Sequence, residues 1–295
     1  MKPCRGILAV ALLVTLLALR AHALEPMTYI YHPPESELDQ RYTYQWEILR
    51  GALEKTRPNW GPYQMRRSGV MSEARQVTEL TNATGKLTVM YLDEMPEYER
   101  SLIPVRIPVD RGLVGYRILL IRKEMQPRFA RVASLADLRR YRCGLGSDWS
   151  DVAVFRANRL PVVTGSSYEG LFEMLVNRRF DYFSRGANEI LTEAAQRAGA
   201  YPELAVEQTL VLHYPSPMYF WFPRTPQGER LAARAREGML RMIADGSYQR
   251  IFRRHFSDTI ARLRLSRRRV INLDNPLLSP RTPLADRRLW FRPGE

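Results

Sequence analysis

The stretch Val162 to Glu193, VVTGSSYEGLFEMLVNRRFDYFSRGANEILTE, narrows the possible folds more than any other part of the chain. A short apolar run, Val162-Val163, stops at Gly165, and Ser166 or Ser167 then offers a helix cap. Tyr168, Leu171, Phe172 and Leu175 fall at i, i+3, i+4 and i+7, one face of a helix. Asn177-Arg178-Arg179 ends that helix with cations where the macrodipole favours them. Phe180 to Phe183 reads as a strand, Ser184-Arg185-Gly186 as a turn, and Asn188 to Ala198 as a second helix. Strand, helix, strand, helix is the grammar of a parallel α/β sheet, and such sheets bind ligands at the carboxyl edge of their strands.

The same alternation runs through the rest of the chain. Met27 to Tyr31 reads as a strand, Tyr44 to Lys55 as a helix, Tyr63 to Arg66 as a strand, Ser72 to Thr81 as a helix, and Leu87 to Leu92 as a third strand. Glu94 to Asp110 is punctuated by prolines and reads as a loop. Leu113 to Ile121 is a long apolar strand able to leave one half of the molecule for another. Ser134 to Arg139 is a capped turn, Arg142 to Leu145 a strand, and Ser147 to Asn158 a helix. Thr209 to Tyr214 is a strand that could cross back, and Tyr219 to Phe222 returns to the first half. Two helices, Glu229 to Asp245 and Gly246 to Phe256, close the body. Arg262 to Glu295 is an Arg- and Pro-rich tail. Its apolar islands at Val270-Ile271, Leu277-Leu278 and Leu289-Trp290-Phe291 argue against simple disorder, and it is expected to lie loosely over the body.

The pattern of an apolar strand, then TGSSYEGLF, then RFDYFSRGANEI, resembles the second lobe of the periplasmic solute-binding proteins of family 3, many of which serve ABC amino-acid importers. The later order PMYFWF, long helix, DGSYQRIF resembles the same family. The resemblance spans roughly residues 28–257. It implies an α/β, two-lobed type 2 periplasmic-binding-protein fold, with two doubly wound mixed sheets joined by a double-crossover hinge. The expected division is a leader over 1–23, a first lobe over 24–118, a second lobe over 119–213, a return segment over 214–258 and a C-terminal extension over 259–295. It further implies capture of a small polar or acidic solute, of the amino-acid or organic-acid class, by lobe closure, with a membrane permease of an ABC transporter as partner. Enzymes on the same fold, of dehydratase or lyase kind, and free-standing sensor modules are the alternatives.

Met1 to Ala23 has the anatomy of a cleavable export signal: Lys2 and Arg5, an apolar run from Ile7 to Leu19, and Ala21-His22-Ala23. Cys4 precedes the apolar run and is no lipobox cysteine, so a freed periplasmic protein is expected. The formal charge is +14, and losing Lys2, Arg5 and Arg20 with the leader leaves +11. The arginines are scattered along the chain, and no recognition helix, zinc finger or RNA-binding signature accompanies them, so nucleic acid is not an expected partner. With Cys4 in the leader, Cys143 is the one remaining thiol, and it reads as a small buried hydrophobe. There is no HExxH, GxSxG or GxGxxG, and the four histidines are far apart. No enzyme activity, metal or cofactor is expected.

In the family, an arginine shortly before the fourth strand holds a ligand carboxylate. By order and spacing Arg100 matches it, with Arg106 and Arg111 close by and pairing to Glu97 or Glu99 as its plain structural role. Gly146-Ser147-Asp148-Trp149 lies between a strand and a helix. Ser147 is placed to offer backbone N–H groups to an anion or merely to cap the helix, and Trp149 to stack on a ligand or pack. The family's ammonium-binding aspartate falls by spacing on Arg185 or Gly186. That departure puts a standard amino acid in doubt. Arg185 suits an anion or a salt bridge to Glu189 or Glu193, and Glu189 could stand in for the missing aspartate. Tyr31, Tyr42, Tyr44 and Tyr168 are candidate aromatic walls, Tyr31 foremost because it ends the first strand.

Overall fold

The computed structural model describes residues 26–33 and 42–294. The expected leader and most of the 32–41 loop lie outside the described residues. The remaining chain forms two lobes.

The first lobe is built on strands β1 (Met27–Tyr31), β2 (Tyr63–Arg67), β3 (Met90–Asp93), β4 (Leu102–Val105) and, much later, β11 (Met218–Pro223). β1 pairs with β2 in parallel, and β11 lies antiparallel between β3 and β4. Thr88 joins the two groups: its Oγ1 accepts the Ile30 amide at 2.7 Å, while the Thr88 and Val89 amides donate to the Ile30 carbonyl. Helix α1 (Thr43–Trp60) covers this sheet with Ile48, Leu49 and Leu53 fully buried. The proline-rich segment expected to be a loop holds α3 (Pro96–Ser101) and β4; α2 is Glu73–Thr81. Pro96 sits in the first turn of its helix, where a missing N–H costs nothing, and Pro104 lies on an edge strand that tolerates it.

The second lobe has a mixed sheet in the order β12, β10, β5, β8, β6, β7, with β9 (Leu204–Val206) also on β5. Its strands are β5 (Tyr116–Arg122), β6 (Cys143–Gly146), β7 (Val162–Gly165), β8 (Tyr182–Gly186), β10 (Leu210–His213) and β12 (Arg269–Asn272). Residues 162–197 supply β7, α7 (Tyr168–Val176), β8 and α8 (Ile190–Arg197); α4 (Gln126–Phe129), α5 (Leu135–Leu138) and α6 (Asp151–Ala157) precede them. Ser167 is the cap of α7, its Oγ accepting the Gly170 amide at 3.3 Å. Cys143 is buried at the start of β6.

The chain passes between lobes beside residues 105–116 and again at 214–217. The passages lie side by side: Tyr214 donates to the Gly115 carbonyl at 3.2 Å, and Val109 to that of Met218 at 2.9 Å. They approach so closely that a Cβ on Gly115 would stand 2.2 Å from the Tyr214 carbonyl oxygen. Leu113 to Gly115 form a tight turn before β5 begins, instead of the strand expected there. The Asp110 carboxylate forces that turn by accepting the Gly112 and Val114 amides at 3.0 and 2.8 Å.

Helices α9 (Pro226–Ala244) and α10 (Ser247–Leu263) pack back on α1. The tail is not loose. β12 extends the second lobe's sheet beside β10, then the chain returns to the first lobe, where Thr282 bonds Glu94 and Arg281 pairs with Glu99. Leu289 and Phe291 end buried against the crossing, with the Phe291 amide on the Arg111 carbonyl at 2.7 Å. Ile271, Leu289 and Phe291 of the apolar islands are the buried residues that hold it there.

Candidate functional site

Two adjoining cavities open between the lobes, of about 290 and 90 Å³. They share Tyr91 and Glu189. The larger is walled by Tyr44 and Gln45 from the start of α1, by Tyr168, Asn188 and Glu193 from the second lobe, and by His255. The smaller lies at the carboxyl ends of β3 and β8, with Asp93 on one side and Trp149, Asp151 and Arg185 on the other.

Charge organises the smaller cavity. Arg117, near the start of the apolar strand β5, is 4% exposed and needs a counter-charge. Asp151, at the start of α6, supplies it at 2.8 Å. The rest of the guanidinium goes to the Val114 carbonyl at 3.3 Å and Ser184 Oγ at 3.4 Å. The Tyr214 hydroxyl also donates to Asp151. Arg185, 2% exposed at the end of β8, holds Glu193 with Nε at 2.7 Å and Nη2 at 2.6 Å, and Nη2 lies 3.0 Å from Glu189. Burial works against its charge, but Glu189 and Glu193 outweigh that and fix it as a cation. Its plane lies against the rings of Trp149 and Phe183, 4.8 and 5.0 Å from their centres. The Tyr168 hydroxyl completes the group by donating to Glu193 at 2.6 Å.

Asp93, on the first lobe, differs from these. It accepts from Ser150 Oγ of the second lobe at 2.6 Å and from Ser216 Oγ at 3.4 Å. It has no ion-pair partner among the described residues. Burial, and then the neighbouring Asp151 charge, push its carboxyl up to about 6. This hydroxyl–carboxylate contact is a polar bond between the lobes at the floor of the cleft.

The residues expected from sequence fall in three groups. Trp149, Tyr168, Arg185 and Glu189 line the cavities, as do Tyr42 and Tyr44. Tyr31 is half-buried and packs at a tilt against Trp46 with ring centres 4.8 Å apart, outside the lining. Arg100 is exposed in the last turn of α3, and Ser147 is exposed too; neither lines the cleft. The helix expected from Ser147 begins at Asp151, and the Ser147 amide donates to the Gly165 carbonyl at 2.9 Å, so that N–H is already engaged. The Glu189 carboxylate accepts the Gly186 amide at 3.1 Å, so it does occupy the end of β8. Asp93, Arg117 and Asp151 were missed. Arg117 carried a signal: a charge inside LVGYRILLI demands a buried partner.

No family model matches the chain, and no curated protein matches it. Among solved structures, an ancestral arginine-binding protein bound to arginine is 14% identical, covers 80% of this chain and 100% of its own, and superposes with a TM-score of 0.57. An arginine-specific periplasmic binding protein of Salmonella typhimurium is 14% identical over 78% of this chain and 99% of its own, at 0.56. A histidine kinase sensor domain similar to periplasmic binding proteins is 16% identical over 78% and 96%, at 0.55. The fold is therefore the two-lobed type 2 periplasmic-binding-protein fold, with no closed barrel. Among the described residues no helix is long and apolar enough to cross a membrane, and no cluster of metal-ligating side chains occurs.

Proposed function

We propose that the chain is a solute-binding protein whose lobes, dividing near residues 118 and 213, close over one small polar molecule of amino-acid size. The observation that carries this reading is the cavity of about 290 Å³ with walls from both lobes, continuous with a charged floor. It suits a ligand of a dozen or so heavy atoms, near the lower end of small-molecule sites. A molecule touching both walls binds the closed arrangement better than the open one and so drives closure. The binding proteins named among the structural neighbours support the same reading. Export through the leader and hand-over to an ABC permease complete it. The sensor-like neighbour makes a signalling partner the competing destination for the same bound state.

A thermal-shift screen of amino acids, amines, dicarboxylates and short peptides tests it. A true ligand at about 100 times its dissociation constant adds about 2.7 kcal/mol, a rise of about 5 °C for a chain of this size. If no small solute moves the melting point, the solute-binding reading fails.

A further inference from the structure

The charge inside the cleft opposes the charge of the chain. The whole protein carries +14, yet the cleft sets five carboxylates, Glu73, Asp93, Asp151, Glu189 and Glu193, around two guanidiniums. Both guanidiniums are engaged. Arg117 uses Nε, Nη1 and Nη2 on Ser184, Val114 and Asp151. Arg185 uses Nε and Nη2 on Glu193 and Glu189. A ligand carboxylate entering here would compete with the protein carboxylates already held by both guanidiniums, and would meet Asp93 on the way. A ligand cation would instead meet Asp93, which has hydroxyl partners only.

Neutral groups on the walls also lack partners. Gln45 is 2% exposed, lines the larger cavity, and its Nε2 has no hydrogen-bond partner. Across from it Asn188 lines the same cavity with Oδ1 unpartnered. Buried amide atoms without partners cost about 1–3 kcal/mol each, and a polar ligand removes that cost. Gln45 Nε2, a donor, suits a neutral ligand acceptor such as a hydroxyl or carbonyl, and Asn188 Oδ1, an acceptor, suits an N–H. Tyr91, shared by both cavities, offers an aromatic wall for a cation.

We propose that the cleft takes a small organic cation, an amine or guanidinium compound without a carboxylate, with its positive group seated at Asp93 between the lobes. The proposal rests on the solute-binding reading and specifies its ligand class. The cation supplies the counter-charge that Asp93 lacks. Because Asp93 belongs to the first lobe and its donor Ser150 to the second, seating the cation there couples binding to closure.

Paired probes differing only in a carboxyl group decide it. Calorimetric titration of the full chain compares arginine with agmatine and lysine with cadaverine, with glutamate and succinate as anionic controls. The expected result is tighter binding of each amine than of its parent amino acid, by about tenfold or more, and no binding of the anions. In Asp93→Asn, amine affinity should drop at least about tenfold while the melting point does not fall. Should that variant fail to fold, Asp93→Glu, which keeps the charge but moves it by one methylene, should lose part of the affinity. Tighter binding of arginine or lysine than of the amines, or binding of glutamate, overturns the cation proposal and leaves the solute-binding reading standing. Amine affinity unchanged in Asp93→Asn removes Asp93 as the seat. Absence of binding by every probe, together with a blank thermal-shift screen, overturns both.

Discussion

On the hinge face the lobes are joined by backbone hydrogen bonds and apolar side chains. Tyr214 bonds Gly115, Val109 bonds Met218, and the tail buries Leu289 and Phe291, with Phe291 against Arg111 and Tyr116 of the first passage. On the cleft face they meet through charges and hydroxyls: Ser150 on Asp93, Arg117 on Asp151, Arg185 on its two glutamates. Apolar burial is non-directional and roughly additive, so the hinge face supplies hold. Buried charge contributes little net stability and demands particular partners, so the cleft face supplies selectivity. The hinge should therefore govern whether the protein is folded, and the cleft what it accepts.

The largest test of that division removes the tail from residue 269 onward. It strips Ile271, Leu273, Leu289 and Phe291 of their burial, at about 1.5 kcal/mol or more each, so a loss on the order of 5 kcal/mol is expected. Urea unfolding measures it, and an unchanged midpoint would break the comparison.

Arg185→Met is next. It leaves Glu189 and Glu193 without their cation, and about 3–5 kcal/mol should be lost. This is the one cleft substitution expected to damage the fold as well as the site. A loss under about 1 kcal/mol in the same unfolding assay would mean the glutamates find other partners.

Asp93→Asn should act in the opposite direction. Asp93 is pushed up to about 6 and Asp110 to about 7, burial being the main cause in each. Each binds its proton more tightly folded than unfolded. Their contribution is therefore fully favourable below about pH 4 and declines as pH rises toward 7. Glu79, held down to about 2 by bonds from Lys86 and Thr84, changes stability only below that window. Scanning calorimetry between pH 5.0 and 7.5 should show these two acids lowering the melting point as pH rises. Asp93→Asn should shrink that slope and gain about 1–2 kcal/mol at pH 7.5. A slope that does not change would place the titration elsewhere.

Arg100→Ala is the smallest case. The side chain is exposed on α3, away from the cavities. Stability should stay within about 0.5 kcal/mol, and ligand affinity should be unaltered. A tenfold loss of affinity would extend the site beyond the cleft described here.

Much of the scaffold was legible because the signals are local. The face formed by Tyr168, Leu171, Phe172 and Leu175, the Ser167 cap, and the alternating strands each follow from a few neighbouring residues. Even the Arg185 pairs with Glu189 and Glu193 could be read, since all three lie close together in the chain. The proline-rich α3 and β4 were not, because proline marks a break unless the position makes its missing N–H irrelevant, and that depends on which strand is an edge.

What the sequence determined by itself is the order of elements and the two-lobed plan they imply. Only the tertiary structure decided the character of the cleft. Asp93 meets Ser150 across 57 residues, and Arg117 meets Asp151 through the path of the second lobe's sheet. Hydrophobic periodicity reports the geometry of one element. The balance of charge in a groove depends on which elements the chain later brings face to face, and no local repeat encodes that.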